Sequence, residues 1–475
     1  MTMAGDAAAI ADRIGRTTAG LGMASGRTLP RSVQGERFGA WTWYPELLAR
    51  PVPRYTSYPT AAEFVDAPFA EAQAAALAAL SGPVSLYLHI PFCEQICWYC
   101  GCNTGAANRS QRLAAYLGAL TREIEMVARH IGPGARVTRI AFGGGSPNAI
   151  APTDFVRLID ALTLNFRLAR PELSRELDPR SLAPAWFTAI RGIGVIKASL
   201  GVQTFDPRVQ AAIGRVQPEA DIARAMDGLR KAGVDSVNFD LMYGLPHQDE
   251  VVLAQTLETA IAMQPDRVAL FGYAHVPGVI PRQRRIDAAS LPGQRTRFAM
   301  AAQGAERLES AGYATIGFDH FALPHDDMAK ARAAGTLRRN FQGFTDDTAP
   351  ALIGLGASSV SQFPGLLVQN DKNAGRYRSL VEAGTLPGTR GVVQSPEDRR
   401  RAAVIEALLC REAVELPPDL LDEVGEGLLP FVERGLARIE GTRLTLAPHS
   451  QPYHRSIAAL FDRWRNGGHQ FSSAV

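Results

Sequence analysis

The run Ser85-Leu86-Tyr87-Leu88-His89-Ile90-Pro91-Phe92-Cys93-Glu94-Gln95-Ile96-Cys97-Trp98-Tyr99-Cys100-Gly101-Cys102 sets an alternating strand directly before four cysteines. Only one further cysteine, Cys410, occurs in the 475 residues. A period of two places Val84, Leu86, Leu88 and Ile90 on one face and Ser85, Tyr87 and His89 on the other. Thiols at 93, 97 and 100 follow one another after three and then two intervening residues, so a short loop can bring them onto one side of an iron–sulfur cluster. Structural zinc more often takes two ligand pairs held a dozen or more residues apart, and no second pair is present here. Disulfides call for an oxidising compartment, whereas the first 40 residues lack an apolar signal core.

Outward from this run, short apolar and β-branched stretches alternate with longer helical patterns, which predicts βα units around a parallel sheet. Strands are expected near 85–90, 137–142, 173–177, 195–202, 236–243 and 267–273. Helices are expected over 111–130, 152–165, 219–232 and 251–263. Six units make an α/β fold of the incomplete (β/α)6 barrel type. Chemistry in such barrels gathers at the carboxyl ends of the strands, and the motifs fall there. The cysteines follow the first strand, Gly143-Gly144-Gly145-Ser146-Pro147 the second, and Glu176-Leu177-Asp178-Pro179-Arg180 closes the third. Gly201-Val202-Gln203 ends the fourth.

Residues 1–48 read as a flexible tail and 49–325 as the barrel with its cluster loop. Residues 326–394 read as an irregular connecting region on the substrate side, and 395–475 as a mainly helical unit. Within that last unit, helices over 400–411 and 418–434 and a hairpin over 437–446 resemble a winged helix. It lacks a basic face, so packing or covering is expected of it rather than DNA reading. At 51.1 kDa and 46% hydrophobic residues the chain can bury a large core. The net charge is +3, and no basic block with interleaved aromatics speaks for nucleic acid. The longest apolar tract, 70–91, is broken by Ser81-Gly82-Pro83, which speaks against membrane insertion. A reduced cytoplasmic setting and a monomer are the expectations.

Several positions admit two readings. Glycine lets backbone approach a ligand and adopt positive φ, but a tight strand–helix turn asks the same of Gly143–Gly145. Glu176 and Asp240 at strand ends can accept hydrogen bonds from ribose hydroxyls or serve as polar caps. Tyr87 and His89 point inward, as ligand contacts or as a satisfied interior pair. Arg175 faces the helix layer, where its charge is expected to snorkel outward. Cys410, inside a helical pattern, reads as a small buried hydrophobe.

Together with Pro53-Arg54-Tyr55-Thr56-Ser57-Tyr58-Pro59-Thr60-Ala61, these motifs resemble the radical S-adenosylmethionine enzymes. Within them they resemble the oxygen-independent coproporphyrinogen III oxidases, from about residue 50 to the end. The resemblance implies a radical SAM barrel with an N-terminal covering segment, residues 53–61, lying across the active-site mouth. It implies that Cys93, Cys97 and Cys100 hold one 4Fe-4S cluster whose remaining iron takes S-adenosyl-L-methionine, of which two molecules bind. Tyr87, Gly144, Glu176, Ala274 and Val360 are placed around the first molecule by this likeness. Tyr99, Gly145, Ser146, Gln203, Arg215 and Asp240 are placed around the second. Tyr99, Ser146 and Val360 stand where phenylalanine, threonine and isoleucine are usual.

The catalytic candidates are Tyr87, His89 and Cys102, the last being a cysteine that related haem chaperones usually lack. The activity implied is oxidative decarboxylation of two propionates of coproporphyrinogen III to vinyl groups by way of a 5'-deoxyadenosyl radical. The electron donor implied is a reduced flavodoxin- or ferredoxin-like protein. Arg54, Arg215 and Arg339 are candidates, from position alone, for the substrate carboxylates. A haem chaperone and a radical SAM methyltransferase are the rival functions.

Overall fold

The computed structural model describes residues 35–107 and 110–465. Six parallel strands run β1 (Ser81–Ile90), β2 (Gly134–Gly144), β3 (Leu168–Leu177), β4 (Lys197–Gln203), β5 (Ser236–Tyr243) and β6 (Arg267–Gly272). Each pairs in parallel with the next. Helices Ser110–His130, Pro152–Asn165, Pro184–Ile193, Glu219–Lys231 and Glu250–Ala262 return the chain between them, giving the incomplete barrel. The alternation of β1 is realised. Val84, Leu86, Leu88 and Ile90 are fully buried in the core under the helices, each contributing about 1.5–3 kcal/mol of burial.

The sheet extends further than the sequence pattern suggests. Beyond β6 lies the antiparallel strand His320–Ala322. Leu352–Leu355 pairs in parallel with β1 and leads into an antiparallel run of Val360–Phe363, Leu366–Asn370 and Gly388–Val393. The region expected to be irregular over 326–394 therefore holds regular strands, together with the helices Asp327–Ala333 and Ala374–Glu382. Leu352–Leu355 and Leu366–Asn370 are buried at every position, so they carry no period-two alternation.

The described part of the expected tail is also ordered structure. Glu36–Phe38 and Trp41–Trp43 form a hairpin whose Phe38, Trp41 and Trp43 gather around Phe298. Residues 1–34 lie outside the described residues, as do 466–475. In the C-terminal unit the helices Pro396–Arg411 and Pro418–Glu433 pack with a three-stranded sheet that includes the hairpin Ala437–Glu440 and Arg443–Leu446. A capping box of Ser395 and Asp398 starts the first helix. Cys410 is buried against Leu337 and Phe344.

At the amino ends of the strands a charged network closes the barrel. Arg139 meets Asp346 through two hydrogen bonds of 2.8 Å. Lys197 Nζ lies 2.6 Å from Glu172 and 3.2 Å from both Asp327 and Asp346, supplying the cation those acids need. No helix among the described residues is long and apolar enough to cross a membrane.

Candidate active site

A cavity of about 390 Å³ occupies the barrel interior, with Glu176, Asp240, Phe271, His320 and Phe344 among its walls. The cysteine loop leaves the carboxyl end of β1 beside it. Cys97 is buried, Cys93 and Cys100 are half-buried and Cys102 is exposed. The loop is fixed from outside by Trp98 N–H donating to Ile213 O at 3.0 Å. Gln283, itself 1% exposed, uses its side-chain amide to bind Tyr99 O at 2.9 Å and Ala274 O at 3.0 Å. One residue thereby couples the loop to the end of β6.

The sulfurs sit in a donor-rich setting. Cys97 Sγ accepts from Arg215 Nη1 at 3.3 Å and Arg180 Nη2 at 3.5 Å, and Asp178 pairs with both arginines. Cys100 Sγ accepts from the Cys102 thiol and, at 3.4 Å, from the Cys102 backbone N–H, which brings the Cys100 thiol down to about 6. Burial pushes the Cys93 thiol up to about 12, so ionising it calls for a cation bound to the sulfur.

These features fit an iron–sulfur cluster better than a single zinc. Among the described residues the acidic, histidine or cysteine donors that all lie within 4.8 Å of one another are Glu172, Asp327 and Asp346, not the three thiols. Zinc–sulfur bonds of about 2.3 Å in a tetrahedron would draw the sulfurs to about 3.8 Å. Thiolates that accept N–H hydrogen bonds and stand apart suit the iron corners of a larger cluster.

The glycine triplet is required by close packing. A Cβ on Gly143 would fall 2.6 Å from Glu176 Oε1 and 2.8 Å from the Tyr87 hydroxyl. Gly144 has φ +120° and lies against the His89 ring, while its N–H donates to Glu176 Oε2 at 3.1 Å. Gly145 N–H donates to Ile90 O at 2.9 Å, and Ser146 N–H to Phe92 O at 2.7 Å. The β2 turn is thus stitched to the chain just before Cys93.

Tyr87 and His89 come together at 3.1 Å. Burial drives His89 down to about 4, so the ring is neutral at physiological pH, and its Nε2 is buried without a hydrogen-bond partner. Glu176 opens onto the cavity yet is walled by protein, and burial pushes its carboxyl up to about 7. Asp240, also raised by burial, is held by Ser199 at 3.0 Å and Asn238 at 2.8 Å. Gln203 closes β4 with φ +67°, a conformation uncommon for a residue other than glycine and frequent at functional sites.

Ser146, 4% exposed, faces Asn148. Val360 lies in an apolar cluster with Phe64, Leu367 and Val392. Arg175 does face the helix layer but does not reach outward. It is 2% exposed, with its guanidinium 3.9 Å from the Phe155 ring and 4.0 Å from that of Trp186, because stacking on aromatic faces lets it stay inside.

Sequence reasoning did not single out Glu123. Its carboxylate accepts from Gly356 N at 2.6 Å, Tyr377 at 2.6 Å and Asn370 at 2.7 Å. Tyr116, on the same helix, donates to His89 O at 2.7 Å and accepts from Ala357 N at 3.0 Å. That helix therefore clamps the Gly354–Val360 turn against β1. A spacing of seven residues between Tyr116 and Glu123 was the available signal, since it places both on one helix face.

The covering segment lies where the barrel opens. Arg54 Nη2 donates to Gly272 O at 3.3 Å, at the carboxyl end of β6. Tyr55 donates to Asp462 at 2.9 Å, and the Tyr58 hydroxyl accepts from Arg463 N at 3.1 Å, so the C-terminal unit pins the segment down. Of the three arginines proposed from position, Arg54 and Arg339 meet here, while Arg215 belongs to the cysteine loop.

Comparison with known proteins agrees with this geometry. The model of the Radical SAM superfamily matches residues 87–260. The chain is 42% identical over 434 residues to the oxygen-independent coproporphyrinogen III oxidase of Bradyrhizobium diazoefficiens, covering 89% of this chain and 96% of that protein. It is 38% identical over 429 residues to the enzyme so named in Pseudomonas aeruginosa, covering 87% and 93%. The solved structure of coproporphyrinogen III oxidase from Escherichia coli superposes with a TM-score of 0.83 at 33% identity, over 90% of this chain and 100% of that one. Barrel, cysteine loop and superfamily match define a radical SAM enzyme, one that binds a 4Fe-4S cluster and S-adenosylmethionine. Within that class the chain belongs to the oxygen-independent coproporphyrinogen III oxidase family.

Proposed function

We propose that this chain catalyses the anaerobic oxidative decarboxylation of two propionate side chains of coproporphyrinogen III to vinyl groups, yielding protoporphyrinogen IX in haem biosynthesis. The observation that carries this reading is that the likeness runs through the covering segment and the C-terminal unit, over 96% of the Bradyrhizobium protein, and not through the barrel alone.

In this reading Cys93, Cys97 and Cys100 hold the cluster. Tyr87, Gly144, Glu176, Ala274 and Val360 surround one molecule of S-adenosylmethionine, and Tyr99, Gly145, Ser146, Gln203, Arg215 and Asp240 surround a second. When bound and reduced, cluster and cofactor supply a 5'-deoxyadenosyl radical, which can take a hydrogen that no side-chain base removes at neutral pH. Each propionate would give one hydrogen atom to that radical and one electron to an external one-electron acceptor, and release carbon dioxide.

The chain's own residues bind and orient. The carboxylates Glu176 and Asp240, on the cavity wall, offer acceptors to hydroxyl groups, and neutral His89 with Tyr87 fixes the wall beside the cysteine loop. Cys102, exposed beyond the ligands, is positioned to meet substrate. The pinned covering segment keeps water from the reacting carbon. A reduced flavodoxin- or ferredoxin-like donor, a cytoplasmic setting and a monomer acting without nucleic acid or membrane complete the proposal.

The test is anaerobic incubation of the reconstituted protein with coproporphyrinogen III, S-adenosylmethionine and a reductant, followed by mass analysis of the tetrapyrrole. Loss of two carboxyl groups is the expected product, accompanied by 5'-deoxyadenosine. Added methyl groups, or tight haem binding with an unaltered substrate, would refute it.

A further inference from the structure

Among the described residues, five side chains that can carry positive charge line the barrel cavity: Arg139, Arg175, Lys197, Arg267 and His320. Four are engaged by the protein itself. Arg139 meets Asp346 at 2.8 Å, Lys197 meets Glu172 at 2.6 Å and Arg267 meets Asp326 at 2.6 Å. The Arg175 guanidinium lies against the Phe155 and Trp186 rings in the helix layer. His320 belongs to neither arrangement.

His320 opens the antiparallel strand His320–Ala322 and pairs with Ala269 of β6, level with Asp240 of β5. Its ring packs at steep angles of 80° and 82° against Phe271 and Phe344, with centroids 5.4 Å from each. Both of these rings are cavity walls. On the other side, Nδ1 lies 2.6 Å from Asp319 Oδ1. Burial pushes the Asp319 carboxyl up, but the charge and hydrogen bond of His320, with Arg54 and Arg339 behind, bring it down to about 2. An ionised Asp319 is an acceptor and makes Nδ1 the donor. Asp319 is the hydrogen-bond partner of this imidazole among the described residues, so Nε2, on the far edge of the ring, is the nitrogen open to a ligand. The imidazole charge also reaches Asp240, where it works against the rise that burial causes.

We propose that His320, oriented by Asp319, binds the carboxylate of the propionate arm that enters the cavity. The inference rests on the function proposed above and adds a residue that the sequence motifs did not reveal. With Nδ1 on Asp319, a protonated imidazole offers its Nε2–H to an anion as a charge-assisted hydrogen bond. The acids Glu176 and Asp240 disfavour a carboxylate elsewhere on the wall. His320 thereby fixes where the arm ends, and with it which carbon of the arm is presented toward the cysteine loop.

The test measures equilibrium binding of coproporphyrin III, and of its uncharged tetramethyl ester, to the anaerobic holoenzyme. His320→Leu is expected to weaken coproporphyrin III binding roughly tenfold or more, and His320→Gln, which keeps a donor without the charge, roughly threefold or more. The ester should bind all forms alike, and S-adenosylmethionine affinity and the cluster absorbance should not change. If His320→Leu does not fold, His320→Gln decides alone. Coproporphyrin III affinity within about twofold of wild type in the folded variants overturns the assignment. An equal loss for the ester overturns it too, because the contact would then be one of shape, and so does a loss of S-adenosylmethionine affinity, which would place the imidazole at the cofactor. Should the affinities fall as expected while the wild type fails to decarboxylate coproporphyrinogen III, the carboxylate site stands and the proposed reaction falls.

Discussion

Cys97→Ala is expected to leave the protein without its iron–sulfur cluster and without detectable turnover. Cys97 is the buried member of the three thiols, and its sulfur is the one that Arg180 and Arg215 both approach. Two protein ligands cannot hold a cluster that three were placed to hold, and the vacated space leaves two guanidinium groups with Asp178 as their remaining acidic partner. Cys102→Ala should behave differently. Its iron content stays at the wild-type level, while turnover drops by roughly ten- to a hundredfold, the usual range for groups that tune a metal centre without binding it. Iron and sulfide analysis of both anaerobically purified variants checks the pair. A full cluster in Cys97→Ala, or an iron-free Cys102→Ala, would show the ligand assignment to be wrong.

Gly145→Ala is expected to cost nearly as much, by a steric route. The added methyl would lie 2.6 Å from Phe92 O and 2.9 Å from both Phe92 C and N. These are backbone atoms, directly before Cys93, and cannot turn aside as a side chain would. The β2 turn and the cysteine loop must separate, losing about 1–3 kcal/mol of stability. A displacement of about 1 Å at a reacting centre is enough for a loss of about a hundredfold in rate. The measurements are chemical denaturation and anaerobic turnover with coproporphyrinogen III. Wild-type values of both would mean that the close stitching of Gly145 to Phe92 has no bearing on the site.

Much of this arrangement is legible in the sequence, and the limits have physical causes. Strands β1 to β6 announce themselves as short apolar or alternating stretches between helical patterns, and β5 spans Ser236–Tyr243 as expected, whereas the polar start of β3, from Leu168, extends beyond the expected 173–177. Helix Pro152–Asn165 is equally plain, with proline at its start and an apolar face. By contrast, Leu352–Leu355 and Leu366–Asn370 are buried on both faces, and their composition alone does not separate strand from loop. The cysteines, the glycine turn and the acids at strand ends are visible because their chemistry is local. Gln283 and Glu123 are not, since each acts through at least one partner far along the chain. Gln283, for example, joins Tyr99 to Ala274 across 184 and 9 residues. Arg175 shows the converse error, in which a charge assumed to seek water stacks on Phe155 and Trp186.

The central claim, a cluster that offers one iron to S-adenosylmethionine, is tested most directly by electron paramagnetic resonance of the anaerobically purified, reduced protein with and without that cofactor. The account predicts four irons and four acid-labile sulfides per chain and a spectrum that changes when S-adenosylmethionine is added. Stoichiometric zinc with no labile sulfide, or a cluster whose spectrum is indifferent to the cofactor, would contradict it.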